Sequence, residues 1–102
     1  MTELEISKAL ALAIGWKPKD IRCTITTVFV MTEYPGYFPQ EEIFNYDNWS
    51  VIGPIAERYD AFPYERNNRS WMTYSSKFHI YGPEAETPQK AIALAVIRGL
   101  SK

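Results

Sequence analysis

The sequence predicts an α+β domain: a small antiparallel sheet of about three strands packed against three helices, in the order α-β-α-β-β-α. Three observations lead there. Two alanine-rich stretches, KALALAIG (Lys8–Gly15) and KAIALAVIRG (Lys90–Gly99), carry helix start and stop signals. A β-branched run, RCTITTVFVM, lies between them, and a second strand-like run from Trp71 to Ile80 follows a pair of asparagines suited to a hairpin turn. At 102 residues the chain reads as one domain, residues 1–102. A chain of this size can bury roughly two thirds of its unfolded surface.

The first helix begins at Thr2-Glu3-Leu4-Glu5, which has the spacing of a capping box. Alternating large and small residues normally argue for a strand, but here the small partner is alanine, the best helix former. Gly15 suits the left-handed position that closes a helix, and Pro18 stands where the helix cannot continue. Ile6, Leu10 and Ala13 share one face. Arg22 to Met31 reads as one strand, with Cys23, Ile25, Phe29 and Met31 on one side and Thr24, Thr26, Val28 and Val30 on the other. Cys23 is expected to face inward as a small buried apolar residue.

A middle helix is expected over Trp49 to Tyr59, capped by Ser50 or Asp47. Ser50 is preferred because it leaves Pro54 in the first turn, where a missing N–H is harmless. Phe62 to Glu65 forms a short strand that Pro63 confines to an edge, and Asn67-Asn68 turns it back onto Trp71–Ile80. On that longer strand Met72, Tyr74, Phe78 and Ile80 share the core-facing side, opposite Trp71, Thr73, Ser75, Lys77 and His79. Thr87 caps the last helix and Pro88 takes its first position. Ile92, Val96 and Gly99 or Leu100 make its stripe, with Ala91, Ala93 and Ala95 thinning its sides for close approach. From Ala91 to Ile97 it is apolar on nearly every side, more than one sheet face needs, which points to a homo-oligomer.

Composition narrows the function classes. Apolar residues at 46% and charged residues at 23% describe a globular chain. A net charge of -1 supplies no field for nucleic acid and no basic run for a membrane surface. One cysteine excludes an internal disulfide and fits a reducing compartment, and one histidine excludes a histidine-rich metal site. No cofactor is expected. The acidic start MTELEISK and the break at Gly15 fit neither a signal peptide nor a membrane span.

Chemistry would have to come from the middle of the chain. The stretch TEYPGYFPQEEIFNY, Thr32 to Tyr46, reads as a long loop with type II turn chemistry at Tyr34-Pro35-Gly36-Tyr37. Its rings Tyr34, Tyr37, Phe38, Phe44 and Tyr46 form either a sticky surface or a lid folded on the core. Arg58, Arg66, Arg69 and Lys77, with Tyr64, Trp71 and Tyr81, would suit a phosphate or nucleotide, or else are a solvated strand face. His79 has Asp60 and Glu65 as candidate neighbours but no nucleophile motif beside it, and Glu41-Glu42 are adjacent and do not converge on a substrate. The candidate binding residues are therefore Tyr34, Tyr37, Phe38 and Trp49 around the loop, and Tyr64, Arg66, Arg69, Trp71, Lys77 and His79 around the hairpin. No catalytic residue is assigned.

The helix end AIGW (Ala13–Trp16), the aromatic loop running into DNWSVIGPIAERY (Asp47–Tyr59), the strand at Trp71 and the helix TPQKAIALAVI (Thr87–Ile97) form a pattern over most of the chain. It resembles small tailed-phage accessory proteins, the phage α/β/α sandwich domain proteins with the NinX-like proteins as relatives. The resemblance implies a phage gene product in the host bacterial cytoplasm and carries over no catalytic residue. With the ring-rich loop and outer hairpin face, the expectation is an accessory binding protein that engages a host protein, antiviral defence included. The alternative is a sponge for a small nucleotide immune signal; a small hydrolase ranks third.

Overall fold

In the computed structural model, which describes residues 2–33, 36, 38–67 and 69–101, both ends of the first helix follow their sequence signals. Helix α1 (Glu3–Ala13) starts in a full capping box: the Thr2 hydroxyl accepts from the Glu5 N–H at 3.2 Å, and the Glu5 carboxylate accepts from the Thr2 N–H at 3.2 Å. It ends in a Schellman motif. Gly15 sits at φ +112°, the Trp16 N–H donates to the Ala11 carbonyl at 3.0 Å, and the Gly15 N–H donates to the Leu12 carbonyl at 3.2 Å.

The β-branched run is two strands rather than one. β1 (Ile21–Cys23) and β2 (Val28–Thr32) pair antiparallel, with Ile21 opposite Val30 and Cys23 opposite Val28. The threonines cause the break. The Thr24 hydroxyl accepts from the Thr27 N–H at 3.0 Å while the Thr24 N–H donates to the Thr27 carbonyl at 2.8 Å, so side chain and turn satisfy groups a continuous ladder would have used. The expected faces are therefore corrected: Val28 and Val30 are buried, Ile25 stands 94% exposed at the turn tip, and Cys23 is exposed instead of inward-facing.

The stretch read as an irregular loop contains β3 (Gln40–Ile43), which pairs antiparallel with β2 and completes a first sheet in the order β1-β2-β3. Directly after it Phe44 and Tyr46 turn into the core, the lid arrangement for these two rings. Helix α2 (Trp49–Arg58) is capped by Asn48, whose Oδ1 accepts from the Ser50 N–H at 3.1 Å, and not by Ser50 or Asp47. Pro54 consequently lies inside the helix on its exposed side, where the carbonyl it leaves unmatched, that of Ser50, is on an exposed residue near the helix start.

A second antiparallel sheet follows, ordered β4-β5-β6: β4 (Ala61–Asn67), β5 (Ser70–Ser75) and β6 (Ile80–Tyr81). The hairpin and the edge position of Pro63 match the sequence; Asn68 lies outside the described residues. The expected long strand is broken by a turn over residues 76–79, which the Ser75 hydroxyl fastens by donating to the Tyr59 carbonyl at 2.7 Å and accepting from the Phe78 N–H at 3.3 Å. Its faces are also reversed. Thr73 and Ser75 are fully buried beneath helix α3 (Pro88–Leu100), and Met72 and Tyr74 point the other way.

The reversal follows from how closely α3 lies on this sheet. Thr87 caps α3, its hydroxyl accepting from the Lys90 N–H at 3.2 Å, and Pro88 begins it. A methyl built on Gly99 would overlap the Phe78 ring, so bulk has no place in this layer. Helix α3 packs against α1, α2 and the second sheet at once. The apolar surplus that suggested self-association is thereby absorbed within the chain. The result is still α+β, but with two three-stranded sheets and the order α-β-β-β-α-β-β-β-α around a core that includes Ile6, Leu10, Val28, Ile52, Ile92 and Val96.

Candidate functional site

With small residues turned toward α3, the large ones of the second sheet are left on its outer face. Register places Phe62 opposite Tyr74 and Tyr74 opposite Tyr81, three rings in one row across three strands, with Tyr64 and Met72 forming the next row. Phe62, Tyr64 and Tyr81 are 59%, 41% and 55% exposed. The Tyr74 and Tyr81 rings touch, centroids 4.9 Å apart at a tilt of 46°. Arg66 borders the row: its Nη1 donates to Met72 Sδ at 3.2 Å and lies 3.6 Å from a Glu84 carboxylate oxygen. Both ends of that ion pair are half-exposed, so it contributes little to stability. At the other side Arg98 Nη1 donates to the Tyr81 carbonyl at 3.0 Å and ties β6 to α3.

The open edge of this sheet is guarded. Thr73 accepts from the Gly82 N–H and Trp71 exchanges two hydrogen bonds with Ala85, so both aim their backbone groups away from β4. By antiparallel alternation their β4 partners, Pro63 and Glu65, aim theirs at the free edge. Proline has no N–H to offer there, which blocks strand addition at the middle of β4. The β4 edge is therefore closed to strand addition at its middle.

The residues predicted from sequence are scattered over this frame. Tyr34 and Tyr37 lie outside the described residues, while Gly36 between them has φ +83°, as a type II turn requires. Phe38 is 89% exposed before β3, and Trp49 is exposed at the start of α2. Tyr64 and Arg66 share the outer face. Arg69 sits at the hairpin tip with φ +75°, and Trp71 belongs to the inner register, half-buried beside Ala85. Lys77 and His79 are in the turn at the far end of β5; the Lys77 ammonium lies 5.5 Å over the Tyr59 ring, and His79 has φ +56°. Arg66, Arg69 and Lys77 thus do not converge on one anion.

Phe62, Met72 and Tyr74 were missed as surface residues. The period-two pattern that places Met72 and Tyr74 together is in the sequence, but the sequence reading sets them on the core side with Thr73 and Ser75 opposite, and gives Phe62 no face. On the first sheet, Arg22 lies 4.5 Å over the Phe29 ring and grips Glu41 with a shortest contact of 2.6 Å. That guanidinium holds the Glu41 carboxyl below its ordinary value.

Among the described residues, no group of three His, Cys, Asp or Glu side chains is placed to hold a metal ion, and no helix is long and apolar enough to cross a membrane. No protein-family model matches the chain, and no curated protein matches it at a significant level. The resemblance to phage accessory domains rests on the sequence motifs alone.

Proposed function

We propose that this chain is a non-enzymatic binding protein whose contact surface is the outer face of the second sheet. The observation that carries the reading is the in-register row Phe62–Tyr74–Tyr81, whose outer rings Phe62 and Tyr81 are more than half exposed, on a sheet whose β4 edge Pro63 interrupts. Phe62 and Tyr81, rings of about 150–250 Å² each and a little over half open, with the partly buried Tyr74 between them, leave on the order of 250 Å² of aromatic surface. A patch of that size on a monomer is often functional, yet it falls well short of the roughly 800 Å² per partner that a standard interface needs. It suits a short protruding segment of a partner. Phe38, on the loop before β3, adds a further exposed ring.

The sequence resemblance supplies the setting of the proposal: a phage accessory protein in the bacterial cytoplasm, engaging a host protein, with counter-defence as one such role. The second reading, a sponge for a small nucleotide signal, is favoured by one feature: the tilted Tyr74–Tyr81 pair and the Arg66 fork share a face, rings for a base and a fork for phosphate.

The deciding experiment is native mass spectrometry of the tagged chain purified gently from bacterial cells, alongside the double variant Phe62→Ser/Tyr81→Ser. A host protein at fixed stoichiometry, lost in the double variant at unchanged melting temperature, supports the binding module. A bound mass of a few hundred daltons lost in the same variant moves the nucleotide reading to first place. Equal retention by both chains overturns the assignment of this face.

A further inference from the structure

The rings of the outer face are spaced for one kind of partner backbone, an inference that rests on the reading of that face as the contact surface. Phe62 and Tyr81 are its two most open rings, and Tyr74 stands between them. Thr73 turns its carbonyl to the Gly82 N–H, so the adjacent Tyr74 turns its backbone to Phe62 and meets Tyr81 as a non-hydrogen-bonded pair. One hydrogen-bonded and one non-hydrogen-bonded spacing, about 5.5 Å and about 4.5 Å, put the Phe62 and Tyr81 Cα atoms about 10 Å apart. A polyproline II helix has three residues per turn at about 3.1 Å each, and so repeats every ~9.3 Å. The two lengths match.

A furrow runs along the same line. Tyr64 and Met72 form the next row, about 6.8 Å along the strands, and between the rows Pro63 and Thr73 turn their side chains to the other face of the sheet. Rings thus wall a strip of backbone that crosses the strands from Phe62 toward Tyr81. The 46° tilt of Tyr74 against Tyr81 opens a wedge, a shape for a thick puckered ring.

Polar groups on the face point the same way. The Tyr74 and Tyr81 hydroxyls make no hydrogen bond among the described residues and are not enclosed, and the Tyr64 hydroxyl reaches only Met72 Sδ, a weak acceptor, at 4.0 Å. Polyproline II has no internal hydrogen bonds, so its carbonyls are free to accept from such donors. Arg66 already faces Glu84 at 3.6 Å, and an occupant needs no charge to meet it. The aromatic area is far below the roughly 800 Å² per partner of a standard interface, which argues against a second copy of the chain. A segment already fixed in its bound conformation loses little freedom on docking and can use so small a patch.

We infer that the occupant of this face is a proline-rich segment of a partner protein in the polyproline II conformation. It lies across the strands in the furrow, prolyl rings three residues apart seat against Phe62 and Tyr81, and the tyrosine hydroxyls donate to its carbonyls.

The test is an amide-resolved titration of the isotopically labelled intact chain with acetyl-octaproline amide, using acetyl-(Ser-Ala)4 amide and acetyl-diproline amide as controls. Saturable shifts at Phe62, Tyr64, Met72, Tyr74 and Tyr81 are expected with octaproline. Diproline, too short to reach both outer rings, should bind several-fold more weakly, and the serine-alanine peptide should give no saturable shift. Phe62→Ser/Tyr81→Ser should abolish octaproline binding at unchanged melting temperature. Tyr81→Phe, which keeps the ring, should weaken it roughly two- to tenfold, the loss of one neutral hydrogen bond. Equal responses to octaproline and the serine-alanine peptide, equal affinity for diproline, or shifts that map away from this face would overturn the polyproline assignment. The mass-spectrometric comparison separates the two levels: a host protein lost in the double variant without octaproline binding to the parent refutes the occupant alone, whereas retention by both chains refutes the face and the occupant together.

Discussion

Gly82 lies directly beneath Ala95: a Cβ placed on Gly82 would stand 2.7 Å from the Ala95 Cβ. Neither residue has room to yield, because one is backbone of the second sheet's rim and the other is the fully buried side of α3. Gly82→Ala should therefore destabilise the fold by about 1–3 kcal/mol, the cost of overpacking a dense layer. Gly53→Ala, inside α2, is the contrast: apart from its chain neighbours and its own helix backbone nothing lies within 4 Å of its built Cβ, but Pro54 follows it. There the helix gain of replacing glycine is offset by the contact of the new Cβ with the proline ring, so the change should cost less than Gly82→Ala. Urea unfolding of both variants reads the difference.

Pro63 holds the middle of an open sheet edge. Pro63→Val should restore an outward N–H and expose a pairing template, giving concentration-dependent association beyond that of the parent. Sedimentation velocity over a tenfold concentration range shows it; a variant with the same concentration dependence as its parent would mean that Pro63 does not guard the edge.

Cys23 is exposed at the end of a two-strand turn. It should react completely with a thiol reagent in the folded state, at a rate near that of the unfolded chain. A thiol that labels only after denaturant is added would restore the inward placement.

Tyr46 predicts an alkaline limb. Its hydroxyl titrates above the ordinary 10.0, so the folded state holds the proton more tightly than the unfolded chain. That contribution is fully present below the unfolded value and is lost as pH climbs from there through the folded value. Tyr46→Phe should flatten the fall in melting temperature above pH 10.0, while leaving the acid limb as it is.

The acid limb belongs to surface carboxylates. Glu5 at the Thr2 cap, Glu41 beside Arg22 and Glu86 beside Lys90 are all held below the ordinary 4.5. Their stabilisation is present above the unfolded value and lost as pH falls through the folded values. Glu41→Gln should make the decline below pH 4.5 shallower, and salt should shrink the effect because all three are exposed.

Helix punctuation was legible because it is local. Thr2 with Glu5, Gly15, and Thr87 with Pro88 act on backbone groups within a few residues of themselves, so their chemistry can be read without knowing the fold. The same locality explains the hairpin and the edge position of Pro63. It also explains the half-legible elements. Threonine hydroxyls that split Arg22–Met31 into two strands, and Asn48 capping ahead of Ser50, are local competitors whose winner depends on what the ends must meet.

Composition and local pattern were enough to determine an α+β chain with three helices, their alanine-thinned sides and the period-two strands between them. Tertiary structure alone decided which side of each strand is the inside. Period two places Phe62, Tyr64, Met72 and Tyr74 together but is silent on direction, since a pattern read along one strand holds no information about the distance to the layer above it. That distance was set by α3, lying close enough on Gly82, Thr73 and Ser75 that only small groups fit beneath it. The rings went outward because the helix had taken the space they needed.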